Sequence, residues 1–270
     1  MAQDNLELEL LEGRVDGRAK SPELSPLQRG IFEGATEAQM ERIGEVGNRS
    51  STLSILKNRL MERLGAVTDA VEKFNIGDTD MTAQALRAKE AGADVVLTYA
   101  IGPELAQTVN AIVKLGWQVP VMGSWTLSMS SFIDAAGKNA EGVFMPQTFI
   151  QAPSTPKRKE FIEKYQAAYK VDRIPSPVSA AQGYDSMLIL AAAIEQAKST
   201  DGRKIREALE NLNAKVEGVV TTYDKPFTDV DHETITANIP VLGTVKDGRV
   251  VAADPKDLEG DKALRLKAKN

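Results

Sequence analysis

The 270-residue sequence contains no cysteine and one histidine. Without cysteine there is no disulfide, no thiolate nucleophile and no cysteine metal site, and the compartment is left open. Serine and cysteine nucleophiles usually need a positioned imidazole as base. The one imidazole, His232, lies in the polar stretch DVDHET and reads as a surface or hinge residue. Neither a histidine-based triad nor a multi-histidine metal site is therefore expected, while chemistry by carboxylates alone stays open on composition. Aromatic residues are scarce at 5% against 42% hydrophobic residues overall, so the core is expected to be aliphatic. No window approaches eighteen apolar residues, so no membrane-spanning helix is expected. With a net charge of −5 and a pI near 5.2, the chain lacks the clustered basic face that nucleic acid needs. The run Lys157-Arg158-Lys159 is too short to supply one and reads as a solvated helix face. The first residues, MAQDNLELELLEG, have neither a basic nor an apolar signal region, so no signal peptide is expected.

What the chain does have is alternation. Strand-like runs at 70–74, 94–99 and 119–123 are separated by two helical stretches that each finish on glycine. Asp80 is placed to cap the first helix, and Pro103 fits position N1 of the second. Gly92 and Gly116 supply the left-handed residue that stops each. Leu105, Val109, Ile112 and Val113 form an apolar stripe that needs a sheet beneath it. Strands alternating with helices of this length imply right-handed parallel crossovers, and hence an α/β fold with a Rossmann-like parallel sheet flanked by helices. Ligands in such sheets bind beyond the carboxyl ends of the strands. Three short loops lie there, at 75–80, 99–104 and 123–128.

Three textures follow one another along the chain. Residues 1–50 read as a divergent, loosely ordered segment, with one short amphipathic helix around Ile31, Phe32, Met40 and Ile43. Residues 51–65 read as a helix, and 66–150 carry the alternating units. From Pro153 the pattern turns helical: Thr155-Pro156 opens a helix bearing Phe161, Ile162, Tyr165 and Tyr169. A long apolar helix over 178–197 follows, then a shorter one in DGRKIREALENLN. Residues 187–194 are almost wholly apolar, so both sides of that helix are expected to be covered. VEGVVTTYD and ITANIPVLGTVKDGRVV read as strands, the latter turning at Asp247-Gly248. The tail, 254–270, alternates charge and reads as frayed.

The segments EKFNIGDTDMTAQALRAKEAGADVVLTYAIGPELAQ, GYDSMLILAAAIEQA, IREALENL and DHETITANIPVLGTVKDGRVV stand in a familiar order. Together they resemble the branched-chain amino-acid type of ABC-transporter substrate-binding protein, over 53–253. That resemblance implies the type I periplasmic-binding fold, in which two Rossmann-like lobes close on a small ligand. On that pattern 51–253 is the ligand-binding region. Residues 66–175 and 235–252 form one lobe and 177–222 a remnant of the other. The sheet that normally opens the first lobe has no counterpart in 1–50, so a lobe is incomplete and a truncated or rearranged gene product is the expectation. Four aliphatic side chains, Leu188, Ile189, Leu190 and Ile194, then lose their usual cover. Each is worth roughly 1.5–3 kcal/mol when buried, so self-association through 178–197 is expected.

Six residues emerge as candidate ligand contacts. Trp125 and Ser124 follow a strand end, where an indole can stack on a ligand and a hydroxyl can donate; the plain alternative is a loop tryptophan packing on Phe132. Tyr99, Ile101 and Gly102 end the preceding strand, where the next helix directs free amides outward; ordinary helix entry explains them as well. Tyr184 lies near the start of the apolar helix, facing the cleft in the resembled family, or packs at the lobe junction. Relatives in that family hold the ligand ammonium with a carboxylate near Trp125, whereas this sequence reads GSWTLS. Asp78, Asp80 and Glu104 are the acidic groups in the focal loops, and helix capping and dipole placement account for them.

The resemblance implies non-catalytic capture of a small metabolite (an amino acid, amide or small organic acid) for an ABC permease, in the periplasm. No cofactor and no metal are implied. A cytosolic ligand-sensing regulator on the same fold is the alternative, and a carboxylate-only enzyme is a third reading.

Overall fold

In the computed structural model the described residues are 70–236 and 239–258. The helices expected around Ile31 and over 51–65, and the tail beyond Leu258, lie outside them. Two compact units divide the chain, and nearly all described residues belong to the one formed by Asp69–Phe227 and Thr234–Asn270. The other contributes the described segment Thr228–Glu233, a tight turn in which the Thr228 amide donates to the Asp231 carbonyl at 2.8 Å. His232 lies in this segment.

Three parallel strands form the core of a five-stranded sheet: β1 (Val96–Thr98), β2 (Val121–Gly123) and β3 (Phe144–Gln147). Helix α1 (Thr82–Glu90) precedes β1, α2 (Gly102–Lys114) connects β1 to β2, and α3 (Ser130–Ala136) lies between β2 and β3. Later in the chain come α4 (Pro156–Tyr169), α5 (Pro177–Ala197) and α6 (Gly202–Glu210), then a small hairpin of β4 (Val216–Glu217) and β5 (Thr222–Tyr223). A second hairpin, β6 (Val241–Lys246) and β7 (Arg249–Ala252), returns to the first sheet and pairs antiparallel with β3. The sheet order is thus β1-β2-β3-β6-β7. The expected Rossmann-like parallel sheet flanked by helices is present as this parallel core, and the hairpin extends it to a mixed sheet. The two-residue turn at Asp247-Gly248 lets the chain add two strands without a crossover helix, and both residues have the positive φ such a turn needs, 52° and 69°.

Local signals placed most boundaries. Gly92 and Gly116 stop α1 and α2 with φ of 82° and 59°. Asp80 lies one residue before the cap of α1, yet it still accepts the Thr82 amide at 2.8 Å. Pro103 is the second residue of α2, because Gly102 is the first. Thr155 caps α4 by accepting the Arg158 amide, and Asp201 caps α6 by accepting those of Arg203 and Lys204. The strand expected at 70–74 is irregular chain instead. There Gln84 donates to the Lys73 carbonyl and Arg87 grips Glu72, so side chains of α1 take the place of a strand partner.

Leu105, Val109 and Ile112 of α2 are buried with Leu127, Phe132 and Met145 in the largest apolar cluster. Val113, expected in that stripe, is exposed. Ala106 and Val109, on the same side of the helix, are buried, so on that side the cover ends before the last turn. A second cluster gathers Phe149, Phe161, Ile174, Val219 and Val220, and a third gathers Ile189, Ala193, Leu212 and Tyr223. Helix α5 is therefore covered along Ala181, Asp185, Ile189 and Ala193 but not all round: Met187 is 64% exposed. The expectation that both sides would be covered does not hold among the described residues.

Candidate ligand-binding site

The loops after β1 and β2 meet at the carboxyl edge of the sheet. Trp125–Ser128 form a single 3-10 turn, closed by the Ser128 hydroxyl donating to the Trp125 carbonyl at 2.7 Å. Thr126 fastens this turn to its neighbour: its hydroxyl is buried and donates to the Ala100 carbonyl at 2.7 Å. The Ser124 and Thr126 hydroxyls are themselves hydrogen-bonded. Tyr99, Ile101 and Trp125 all remain partly exposed on these loops, at 38%, 52% and 37%. Aromatic and aliphatic surface next to free amides at a helix start can hold a small molecule carrying an anionic or carbonyl group.

Gly102 has a different task from the one expected. It is buried, and a Cβ there would lie 2.9 Å from the Ser131 Cβ and 3.2 Å from the Phe132 nitrogen. The glycine lets the start of α2 press against the start of α3. Tyr184 sits on α5. Its ring lies 5.0 Å from that of Phe161, which also packs edge-on against Phe149, and Tyr184 is itself 41% exposed.

Several organising residues were not among the expected six. Glu104, buried in the first turn of α2, accepts the Gly77 amide at 2.9 Å and so ties the 75–80 loop to the same edge. Asp78 accepts the Asn75 amide at 2.7 Å, so each acidic group in the focal loops has a local donor. Gln147 ends β3 fully buried. Its Nε2 donates to the Pro146 carbonyl at 2.9 Å and the Trp125 carbonyl at 3.4 Å, while its Oε1 has no partner among the described residues.

Asp185 and Arg158 form a clamp around the β4–β5 turn. The Asp185 carboxylate accepts the Val219 amide at 2.7 Å, the Val220 amide at 2.8 Å and the Tyr223 hydroxyl at 2.9 Å. Arg158 donates to the carbonyls of the same two valines at 2.7 and 3.2 Å, and its guanidinium lies over the Phe149 ring. Burial is the strongest influence on Asp185 and lifts its pKa above the ordinary carboxylate value, with the three donors pulling the other way. Burial likewise depresses Arg158 and, with the adjacent carboxylate, raises the Tyr223 phenol. A tyrosine-aspartate pair followed later by glycine was visible in the sequence, but nothing local said that the aspartate and not the tyrosine was the structural member.

A cavity of about 570 Å³ runs along β7 and reaches the 3-10 turn, with Ser128, Ile133, Gln147, Phe149 and Ile174 among its lining residues. None of the six expected residues lines it. Among the described residues no group of acidic and histidine side chains could hold a metal ion. No described helix is long and apolar enough to cross a membrane.

A Rossmann-like lobe with its loops gathered at the strand ends, extended by an antiparallel hairpin, defines a ligand-binding fold of the type I periplasmic class. The chain belongs to the periplasmic binding protein family, whose sequence pattern matches residues 59–248, more than half of it. A leucine-, isoleucine-, valine-, threonine- and alanine-binding protein of Pseudomonas aeruginosa is 28% identical over 153 residues, 56% of this chain and 39% of that protein. Among solved structures, a periplasmic binding protein type 1 from Bordetella pertussis is 28% identical with a TM-score of 0.61, covering 74% of this chain and 55% of that one. A leucine binding protein, LivK, from Thermotoga maritima is 25% identical with a TM-score of 0.57, covering 68% and 51%. The chain thus spans about two fifths of that curated relative and about half of these solved chains.

Proposed function

We propose that this chain binds a small metabolite without transforming it, at the strand-end loops that carry Tyr99, Ile101, Ser124 and Trp125. The observation that supports this most is the Thr126–Ala100 hydrogen bond, which joins the two loops into one surface beside the first turn of α2. Gly102 contributes by letting α2 approach, and Tyr184 supports the neighbouring ring cluster. The relatives' names favour branched-chain amino acids, and amides and small organic acids are the other classes read from the sequence. On this reading the partner is an ABC permease and the setting is the periplasm, no cofactor is used, and lobe closure reports occupancy. The lobes are those read from the sequence, 66–175 with 235–252 and then 177–222. The separate apolar cluster of Ile189, Leu212 and Tyr223 supports the second of them.

Thermal unfolding with leucine, isoleucine, valine, aromatic acids and small amides at millimolar concentration tests the reading. A ligand at one hundred times its Kd stabilises the folded state by about 2.7 kcal/mol, so a binder should raise Tm by several degrees. No shift with any of them would count against metabolite binding by this chain.

The outer side of α5 bears Met187, with Leu190 and Ile194 only partly covered. We expect this stripe to drive self-association at micromolar concentration. Light scattering should report species larger than one chain, and Met187→Glu should shift them toward monomer. A clean monomer that melts cooperatively would show that the stripe is not an association surface.

A further inference from the structure

Among the described residues, the wall of the cavity carries the basic side chains Arg173, Lys246 and Arg249 and no acidic one, in a chain whose net charge is −5. Asp134 already holds Arg173 in an ion pair. Lys246 and Arg249 have no such partner among the described residues. They stand directly opposite each other in the last pair of the β6–β7 ladder, so two like charges rise from Cβ atoms about 5 Å apart. Such a pair destabilises a sheet. The Glu141 carboxylate reaches this turn, but it accepts the Asp247 and Gly248 amides at 3.0 and 2.7 Å and makes no ion pair with either cation.

Strand alternation sorts the side chains of the hairpin. Val245 and Val250 pair with each other and pack in the largest apolar cluster. Thr244, Lys246, Arg249 and Val251 therefore share the opposite face, and all four line the cavity. Thr244 pairs with Val251, and its hydroxyl makes no hydrogen bond among the described residues. That face offers a planar guanidinium fork, an ammonium and a free hydroxyl beside a branched aliphatic side chain. A carboxylate can accept two hydrogen bonds from an arginine fork and another from a lysine. Its charge also relieves the repulsion between the two cations, which an ammonium on the same ligand would restore.

We propose that this face of the hairpin is a subsite for a small aliphatic carboxylate that carries no amino group. The carboxylate lies between Lys246 and Arg249, with the Thr244 hydroxyl as a further donor, and the hydrocarbon end packs on Val251. The cavity also reaches Ser128 in the 3-10 turn, so the subsite adjoins the strand-end loops. It uses neither Trp125 nor the start of α2, and it does not rest on their binding a metabolite.

Isothermal titration calorimetry of the full chain with 4-methylpentanoate should show saturable one-to-one binding. 4-Methylpentanamide keeps the skeleton without the charge, and acetate keeps the charge without the skeleton. Each should bind at least tenfold more weakly. Lys246→Glu should weaken binding of 4-methylpentanoate at least tenfold as well. The same variant sets opposite charges across the strands, so its urea midpoint without 4-methylpentanoate should rise above that of the parent. A loss of binding in a more stable chain is a loss of the subsite and not of the fold. Trp125→Ala should keep 4-methylpentanoate affinity within about threefold, and the Trp125 fluorescence response to leucine should persist in Lys246→Glu, so the two sites fail separately. Absence of heat, equal binding of the amide or of acetate, or unchanged binding in Lys246→Glu would overturn the proposal. So would a lowered urea midpoint in Lys246→Glu, or loss of binding in Trp125→Ala. The amide and acetate comparisons use the unaltered chain and stay decisive whatever the variants do.

Discussion

Asp185→Ala should destabilise the chain by about 3–5 kcal/mol, because it strips a buried charge from partners that cannot reach water. Val219 and Val220 would keep two buried amide donors without an acceptor, and the Tyr223 hydroxyl a third. Arg158 would lose its compensating charge in the same interior. With a urea m-value of about 1–3 kcal/mol/M, the unfolding midpoint should fall by more than 1 M. A shift equivalent to less than about 1 kcal/mol would mean that the clamp does not hold the β4–β5 turn. A companion variant sharpens the test. A Cβ at Gly218 would lie 2.7 Å from Asp185 Oδ1 and closer still to its other oxygen, so Gly218→Ala should destabilise the parent. In the Asp185→Ala background that clash is gone and the same change should be nearly neutral, a coupling that a double-mutant cycle reads directly. The pH dependence has a definite sign. A carboxyl whose folded pKa is raised contributes stability that is complete below its unfolded value, near 3.8, and is lost as pH rises through the folded value. The stability advantage of the parent over Asp185→Asn should therefore narrow as pH rises from 3 through that window.

Gly102→Ala should cost about 1–3 kcal/mol by overpacking the contact between α2 and α3. The added methyl meets the Ser131 side chain first and then the Phe132 backbone nitrogen at 3.2 Å, which cannot swing aside. Placing Ser131→Gly beneath it should recover part of the loss, measured against Ser131→Gly alone so that the helix cost of a second glycine cancels. Equal stability of Gly102→Ala and parent in urea titrations would show that the helix starts are not in contact. Because α2 opens at the strand-end loops, the same variant should also weaken metabolite binding.

The parallel part of the fold was legible because its signals are local. Gly92 and Gly116 end helices, Thr155 and Asp201 start them, and Asp247-Gly248 makes a hairpin, each through its own backbone preference. The irregular course of 70–74 was not legible, since Val71 and Phe74 have strand-like chemistry and only the side chains of Gln84 and Arg87 decide otherwise. The antiparallel addition of β6 was hidden for a related reason: a hairpin signal fixes how two strands pair with each other and not which edge they join. At the site, the strand-end positions of Tyr99, Ser124 and Trp125 followed from the alternation alone. Gln147, Glu104 and Asp185 did not, because their partners lie 22 to 38 residues away in sequence and no spacing rule connects them.

The most direct measurement of the strand-end site is the fluorescence of Trp125 in a Trp117→Phe background, titrated with branched-chain amino acids, aromatic acids and small amides. At least one should give a saturable change, and calorimetry should show the binding lost in Trp125→Ala. No response from any ligand would contradict the site, and so would binding that persists unchanged in Trp125→Ala.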